Sequence, residues 1–303
     1  MLHWSLPISL MRNSIALFLV FAACAAHAQD NLMDLLDKET APSTDYISQT
    51  FKGTRLVNGQ TIETKGKGEL EFIFAHRFGP INSGAYELFG LDQAYVRLGL
   101  EYGITDKLGV GFGRNSVDKT MDGYLRYKIL RQSKGAVNMP VTVTGFANAA
   151  IRMSPKKEDA TYSITTEDRM SYTTQLLIAR KFTPNLSLQL MPTFVHKNTV
   201  DGSLEKNDTF IVGAGGRIKV SRSISLTSEY YYRLNIDEAN PYYNSLGFGI
   251  DIETGGHVFQ LVLSNSRGLT ERAFLTETTG QFFDGDIHMG FNVTRTFQVV
   301  KRK

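Results

Sequence analysis

The chain has 303 residues, with 33 basic against 30 acidic and a single cysteine. That near-balance gives no electrostatic reason to expect nucleic acid as a partner, and one cysteine excludes a disulfide framework. No stretch of 18 or more apolar residues follows Ala28, so no transmembrane helix is available after that point.

The first segment, "MRNSIALFLVFAACAAHA", carries one basic residue, Arg12, then an apolar run from Ile15 to Ala26 and the small-x-small pattern Ala26-His27-Ala28. That is the composition of a secretory signal peptide, expected over residues 1–28 with cleavage after Ala28. Cys24 leaves a lipoprotein reading open. Cleavage removes the only cysteine and the only tryptophan, Trp4, so the mature chain has neither a disulfide nor thiolate chemistry. Residues 29–65 form the next expected unit, a periplasmic arm or plug. "NLMDLLDKET", Asn31–Thr40, reads as a short amphipathic helix with Leu32, Leu35 and Leu36 on one stripe, ended by Pro42. Asn58-Gly59 is a strong hairpin signal, although its flanks are polar and lack a clean apolar face.

From Glu69 onward the pattern has a period of two. In "ELEFIFAHRF" Leu70, Phe72, Phe74 and Phe78 share a side; in "AYVRLGLEY" Val96, Leu98, Leu100 and Tyr102 do. "LGVGFG", "DGYLRYKIL", "PVTVTGFANA", "SYTTQLLIARKF", "NLSLQLMPTF", "FIVGAGGRIKV", "SISLTSEYYYRL", "SLGFGIDIE", "HVFQLVLSN" and "DIHMGFNVTRTF" continue the series. Twelve strands of this length suit a tilted crossing of a bilayer, and the even number leaves both ends on one rim. Connections alternate between tight turns, such as Thr105–Lys107 and Ser221–Ser223, and long segments, such as Arg152–Arg169 and Ser266–Asp284. The long ones are expected to be exposed extracellular loops. The fold expected is all-β: a single antiparallel up-and-down transmembrane β-barrel of about 12 strands over residues 66–303. Tyr102, Tyr172, Tyr230, Tyr232, Phe78, Phe182 and Phe297 fall near strand ends, as an interfacial girdle would place them.

The opposite face is then the lumen. Its candidate lining is Glu69, Glu71, Arg77, Arg97, Glu101, Arg126, Lys128, Arg217, Lys219, Glu229, Arg233, Asp251, Gln260 and His288. Charges of both signs in a low-dielectric lumen need partners or water. A cross-strand network that closes the barrel and a narrow hydrated pore both satisfy that need, and twelve strands lie between filled small barrels and open large ones. Glycines such as Gly213, Gly215, Gly247 and Gly249 either leave room along one wall or mark close packing with an inserted segment. One slip of register would put charges into hydrocarbon, so Leu226→Arg is expected to impair folding into bilayers and Thr227→Arg, on the lumen side, to be tolerated.

No catalytic, cofactor or metal site emerges. His257 and Ser264 are seven residues apart on one strand, roughly 23 Å at strand rise, too far for a nucleophile and its base. His288 with Ser264 on the neighbouring strand is the one conceivable pair. "GVGFGRNS" and "GAGGR" lie within strands and open no helix, so they make no phosphate cradle.

Taken in order, "TFKGTRLVNGQTIE", "ELEFIFAHRFG", "ELFGLDQAYVRLGLEYGITDKLGVGFGR", "GGHVFQLVLSNS" and "GFNVTRTF" resemble a family of predicted outer-membrane β-barrel proteins of the Bacteroidota, known as a domain of unknown function. The resemblance covers nearly all of the chain after the signal. It implies an outer-membrane barrel and, through gene neighbourhood, periplasmic redox proteins as partners; it brings no activity and no catalytic residue. Outer-membrane lipid and the barrel assembly machinery are the other partners expected. The leading expectation is a porin-like channel or passive transporter for small polar solutes. A closed structural or binding barrel that docks a periplasmic or surface partner is the alternative, and an outer-membrane lipid hydrolase the third.

Overall fold

Strict alternation leaves each strand with one apolar and one polar face, and a chain of such strands has no edge only if it closes on itself. A computed structural model describes residues 43–153, 165–200, 205–237 and 239–300 of the protein. Two three-residue strands, β1 (Thr44–Tyr46) and β6 (Ser133–Gly135), form a small sheet of their own. The remaining strands are β2 (Glu69–Pro80), β3 (Ala94–Gly103), β4 (Leu108–Asn115), β5 (Met121–Leu130), β7 (Thr142–Ile151), β8 (Met170–Lys181) and β9 (Leu186–Lys197). They continue as β10 (Asp208–Lys219), β11 (Ile224–Arg233), β12 (Leu246–Thr254), β13 (His257–Ser264) and β14 (His288–Gln298). These twelve make a closed antiparallel barrel in which each pairs with its neighbour along the chain and β14 pairs with β2. The period of two therefore found the right elements, with ends shifted by a few residues: β9 runs on to Lys197 and β7 starts at Thr142.

The faces are those of a barrel in an apolar solvent. Leu98, Leu100, Phe112, Leu125, Leu190, Leu226 and Leu261 are exposed on the outside, while Arg97 and Glu101 of β3 and Arg126 of β5 are buried inside. In the β10–β11 hairpin Ile224, Leu226, Tyr230 and Tyr232 point out, and Arg217, Glu229, Tyr231 and Arg233 point in. Cross-strand pairing fixes this: Arg217 stands opposite Thr227, and Gly213 opposite Tyr231, so a slip of one residue would invert every side chain.

The signal and the helix expected over Asn31–Thr40 lie outside the described residues. One expectation is corrected. Ser266–Asp284 is not simply an exposed loop: a short helix, Glu271–Thr276, turns inward, and Leu269, Glu271, Phe274, Leu275 and Thr276 are buried. The reason is apolar content in a polar-looking loop. Phe274 packs edge-on against Tyr231 inside the barrel, ring centres 5.4 Å apart.

Candidate functional site: the filled barrel lumen

A polar lumen wall leaves donors, acceptors and charges that need partners. Here the chain itself supplies them. Residues 50–63, which precede the first barrel strand, are inside the barrel, with Phe51, Leu56, Val57, Asn58, Gln60, Thr61 and Ile62 all buried. Asn58-Gly59 forms the turn at the tip. Leu56 N–H donates to the Gly59 carbonyl at 2.8 Å, and Arg55 and Gln60 face each other in an antiparallel bridge. The polar flanks of this hairpin signal, odd for a surface hairpin, suit a segment surrounded by polar side chains.

Glu229 of β11 seats the tip. Its carboxylate accepts the backbone N–H groups of Val57 (3.1 Å), Asn58 (2.7 Å) and Gly59 (3.0 Å to Oε2, 3.3 Å to Oε1). Three converging N–H dipoles make an anion cradle of the kind successive backbone amides form, and the anion is the barrel's own. On the other side Arg77 donates to Asn58 Oδ1 at 2.8 Å and to Asn292 Oδ1 at 2.9 Å. Asn292 Nδ2 donates to the Val57 carbonyl at 3.0 Å, and Gln260 Nε2 to the Leu56 carbonyl at 3.0 Å and to Asp251 at 2.8 Å. Gln189 donates to the Gln60 carbonyl and accepts from Ile62 N–H, and Thr144 donates to the Ile62 carbonyl. Backbone groups of the inserted segment are thus met by side chains of the wall, as a ladder would meet them in a sheet.

The charges follow the same logic. Arg126, fully buried, pairs with Glu101 at 3.1 Å and donates to Gln60 Oε1 and to the Glu63 carbonyl. Arg97 forks onto Asp122 at 2.5 and 3.1 Å, a geometry suited to guanidinium and carboxylate. Glu71 accepts from Thr54 and pairs with Lys65 at 2.5 Å. Lys128 lies 3.8 Å from Glu63, and Arg217 pairs with Glu253 at 3.2 Å. Glu69 accepts from Gly66 N–H, Lys219 is half-buried at its strand end, and Arg233 donates to Asn240 and Asn244. These side chains lie on inward positions of their strands, and most of them touch one another or the inserted segment.

Asp122, Arg55 and Glu271 belong to the site as well. Asp122 shares its face with Tyr124 and Arg126, so the alternation already marked it. Arg55 and Glu271 had no such signal, because both lie outside strands. They join the two elements that enter the barrel: Arg55 Nη1 sits 3.0 Å from Glu271 Oε1 of the inward helix, and Gln60 Nε2 donates to the same oxygen at 2.5 Å. The lumen is therefore filled by a segment from the short-turn rim and a helix from the long-loop rim, meeting at a buried ion pair. Glycines mark the closest approaches. A β-carbon on Gly215 would lie 2.3 Å from Leu56, and one on Gly247 2.8 Å from Val57, so these glycines accommodate the insertion rather than empty space. Between Arg55, Asn58, Arg77, Arg97 and Asn292 lies a cavity of about 10 Å³, room for about one water.

The Ser264–His288 pair that the sequence left conceivable is engaged with other partners. Ser264 and His288 do stand opposite each other. Yet Ser264 Oγ accepts from Asn58 and from Ser266 N–H, and His288 Nδ1 bonds to the Phe78 carbonyl at 2.7 Å. Among the described residues no three His, Cys, Asp or Glu side chains gather as metal ligands would.

The model of a family described as a membrane bound beta barrel domain (DUF5777) matches residues 51–297. No curated protein matches the sequence. Among solved structures the chain is similar to the NanC porin in a rhombohedral crystal form, at 9% identity and a TM-score of 0.47 over 75% of this chain and 98% of that one. It is also similar to the KdgM porin, at 8% identity and a TM-score of 0.45 over 76% and 99%. A Salmonella typhi OmpF complex with daunomycin gives 10% identity and a TM-score of 0.37 over 76% and 97%.

Proposed function

The chain belongs to the family of membrane bound β-barrel domains (DUF5777), and from that premise we propose that it is an outer-membrane barrel closed at rest by its own residues 50–63, which passes small polar solutes only when that segment withdraws. The observation that carries this reading is the seat of the tip: one buried carboxylate, Glu229, takes the backbone N–H groups of three consecutive residues of the inserted segment. Such a contact is specific to the inserted position, and it is made of hydrogen bonds that water can replace one by one. A segment held this way is a stopper rather than a piece of the wall. It precedes the first barrel strand and is joined to the barrel at its C-terminal end through Gly66 and Gly68.

The second stopper favours the alternative of a permanently closed barrel that docks a partner. The inward helix Glu271–Thr276 is a second element in the lumen, entering from the long-loop rim. Planar-bilayer recording separates the two. The mature chain is expected to be silent and a chain lacking residues 29–65 to conduct. If the shortened chain folds, as its heat-modifiable gel shift reports, and is silent, the closed-barrel reading replaces this one; steady conductance by the intact chain overturns both.

A further inference from the structure

Two loops at the long-loop rim, one joining β2 to β3 and one joining β13 to β14, are tied together. Ile81 N–H donates to the Ile287 carbonyl at 2.9 Å, and Asn82 Nδ2 to Asp286 Oδ1 at 2.6 Å. Together they expose bulky apolar side chains: Tyr86 at 94%, Phe283 at 89%, and Leu88, Phe89 and Leu91 at lower but large values. The backbone underneath is unusual. Leu88 and Phe89 are consecutive left-handed residues, with φ of 47° and 55°, a region that bulky L-residues seldom enter. Strain kept at a surface points to a use for what it presents.

The neighbourhood says which surface this one meets. Phe282, next to Phe283, packs edge-on against Phe248 with ring centres 5.6 Å apart. Phe248 belongs to the outward apolar face of β12. With Phe78, Leu263, Met289 and Phe291 it lines a groove of about 550 Å³ on that face. The apolar surface thus runs without a break from the barrel wall, through Phe282, to the tip of the loop. A protein partner on the loops needs no such continuity with the wall; a bilayer does, because the wall already sits in it.

We propose that these two loops form an apolar lip that lies in the lipid leaflet at the long-loop rim, with Tyr86, Leu88, Phe89 and Phe283 at the boundary between headgroups and acyl chains. A tyrosine such as Tyr86, with one polar edge, is favoured at that depth, and apolar side chains such as Phe283 on a loop gain there what they lose in water. The lip sets how deep the barrel sits and covers the β2–β14 seam.

The mature protein offers a clean test, because the only tryptophan of the chain, Trp4, precedes the expected cleavage site. Phe283→Trp and Tyr86→Trp, each made in the full mature chain, are refolded into phosphatidylcholine vesicles and compared with Leu261→Trp on the outward face of β13. Lipids brominated on the upper part of the acyl chains are expected to quench the two lip reporters about twofold or more, with blue-shifted emission, as for the Leu261→Trp control. Emission at the wavelength of free indole, quenched by aqueous acrylamide and untouched by brominated lipid while the control is quenched, overturns the proposal and leaves the lip to a protein partner. The heat-modifiable shift verifies folding of each variant, and Leu91→Trp supplies a third reporter if one of the first two does not fold.

Discussion

Gly59 stands so close to Tyr231 that a β-carbon on it would lie 1.8 Å from the Tyr231 hydroxyl. The tip of the inserted segment thus enters a slot between Glu229 and Tyr231 that only a glycine clears. Gly59→Ala is therefore expected to unseat the segment without touching the wall. Overpacking of this kind costs about 1–3 kcal/mol, which changes a two-state population by a factor of about five or more. Thr61, fully buried beside the tip, reports it. With the only native cysteine, Cys24, ahead of the expected cleavage site, Thr61→Cys is a unique thiol. It should resist a water-soluble maleimide in the otherwise native chain and react at least several times faster with Gly59→Ala added. Equal rates in the two backgrounds would show that the tip is not seated by this slot.

Glu229 should act through its two oxygens and not through its bulk. Glu229→Gln keeps one acceptor but turns N–H groups toward the N–H donors of Val57, Asn58 and Gly59, so it is expected to free the tip almost as well as Glu229→Ala. The loss is that of hydrogen bonds to a charged acceptor, about 1.5–3 kcal/mol in all when water takes over the rest. Both variants should leave the barrel folded and both should speed labelling at Thr61→Cys. Native-like protection in Glu229→Gln would mean that shape, and not the carboxylate, holds the tip.

Twelve strands and their faces were legible because alternation is a local signal: Leu98 and Leu100 against Arg97 and Glu101 need no tertiary information to be read. The filled lumen was not legible to the same depth. Asn58-Gly59 announced a turn, and the glycines at Gly215 and Gly247 left open either room along one wall or close packing with an inserted segment, but sequence has no term that pairs Glu229 with the amides of residues 57–59. Glu271 was hidden altogether. It sits in a loop whose charged composition reads as solvated, and the apolar Phe274 and Leu275 that draw the loop inward are too few to make a periodic pattern.

The pair Arg55–Glu271 joins the two elements in the lumen and is buried on both sides, 5% and 0% exposed. Removing one partner of a buried pair strands the other charge and costs about 3–5 kcal/mol. Arg55→Met and Glu271→Gln should each destabilise the inserted segment, and the double variant should be less damaging than the sum of the two. A double-mutant cycle on the heat-modifiable transition or on Thr61→Cys labelling measures this. A coupling energy of zero would show that the two stoppers are held independently.

The last test contrasts two neighbours on β11. Leu226 faces outward among apolar side chains, and an arginine there costs about 2–4 kcal/mol near the middle of the bilayer, so Leu226→Arg is expected to fail to give the folded, heat-modifiable band in lipid vesicles. Thr227 faces inward, and alternation alone makes arginine harmless there. The filled lumen revises that expectation. Thr227 is buried beside Gly249, where a new β-carbon would meet its hydroxyl at 2.5 Å and Val57 of the inserted segment at 3.5 Å. No space remains for a guanidinium while Val57 is in place. Thr227→Arg should fold, because its wall position tolerates charge once solvated, but only with the segment displaced. The expected result is a normal gel shift together with fast labelling of Thr61→Cys. A Thr227→Arg chain that folds and keeps Thr61→Cys protected would show that the lumen has more room than its packing implies, and that residues 50–63 yield locally without leaving.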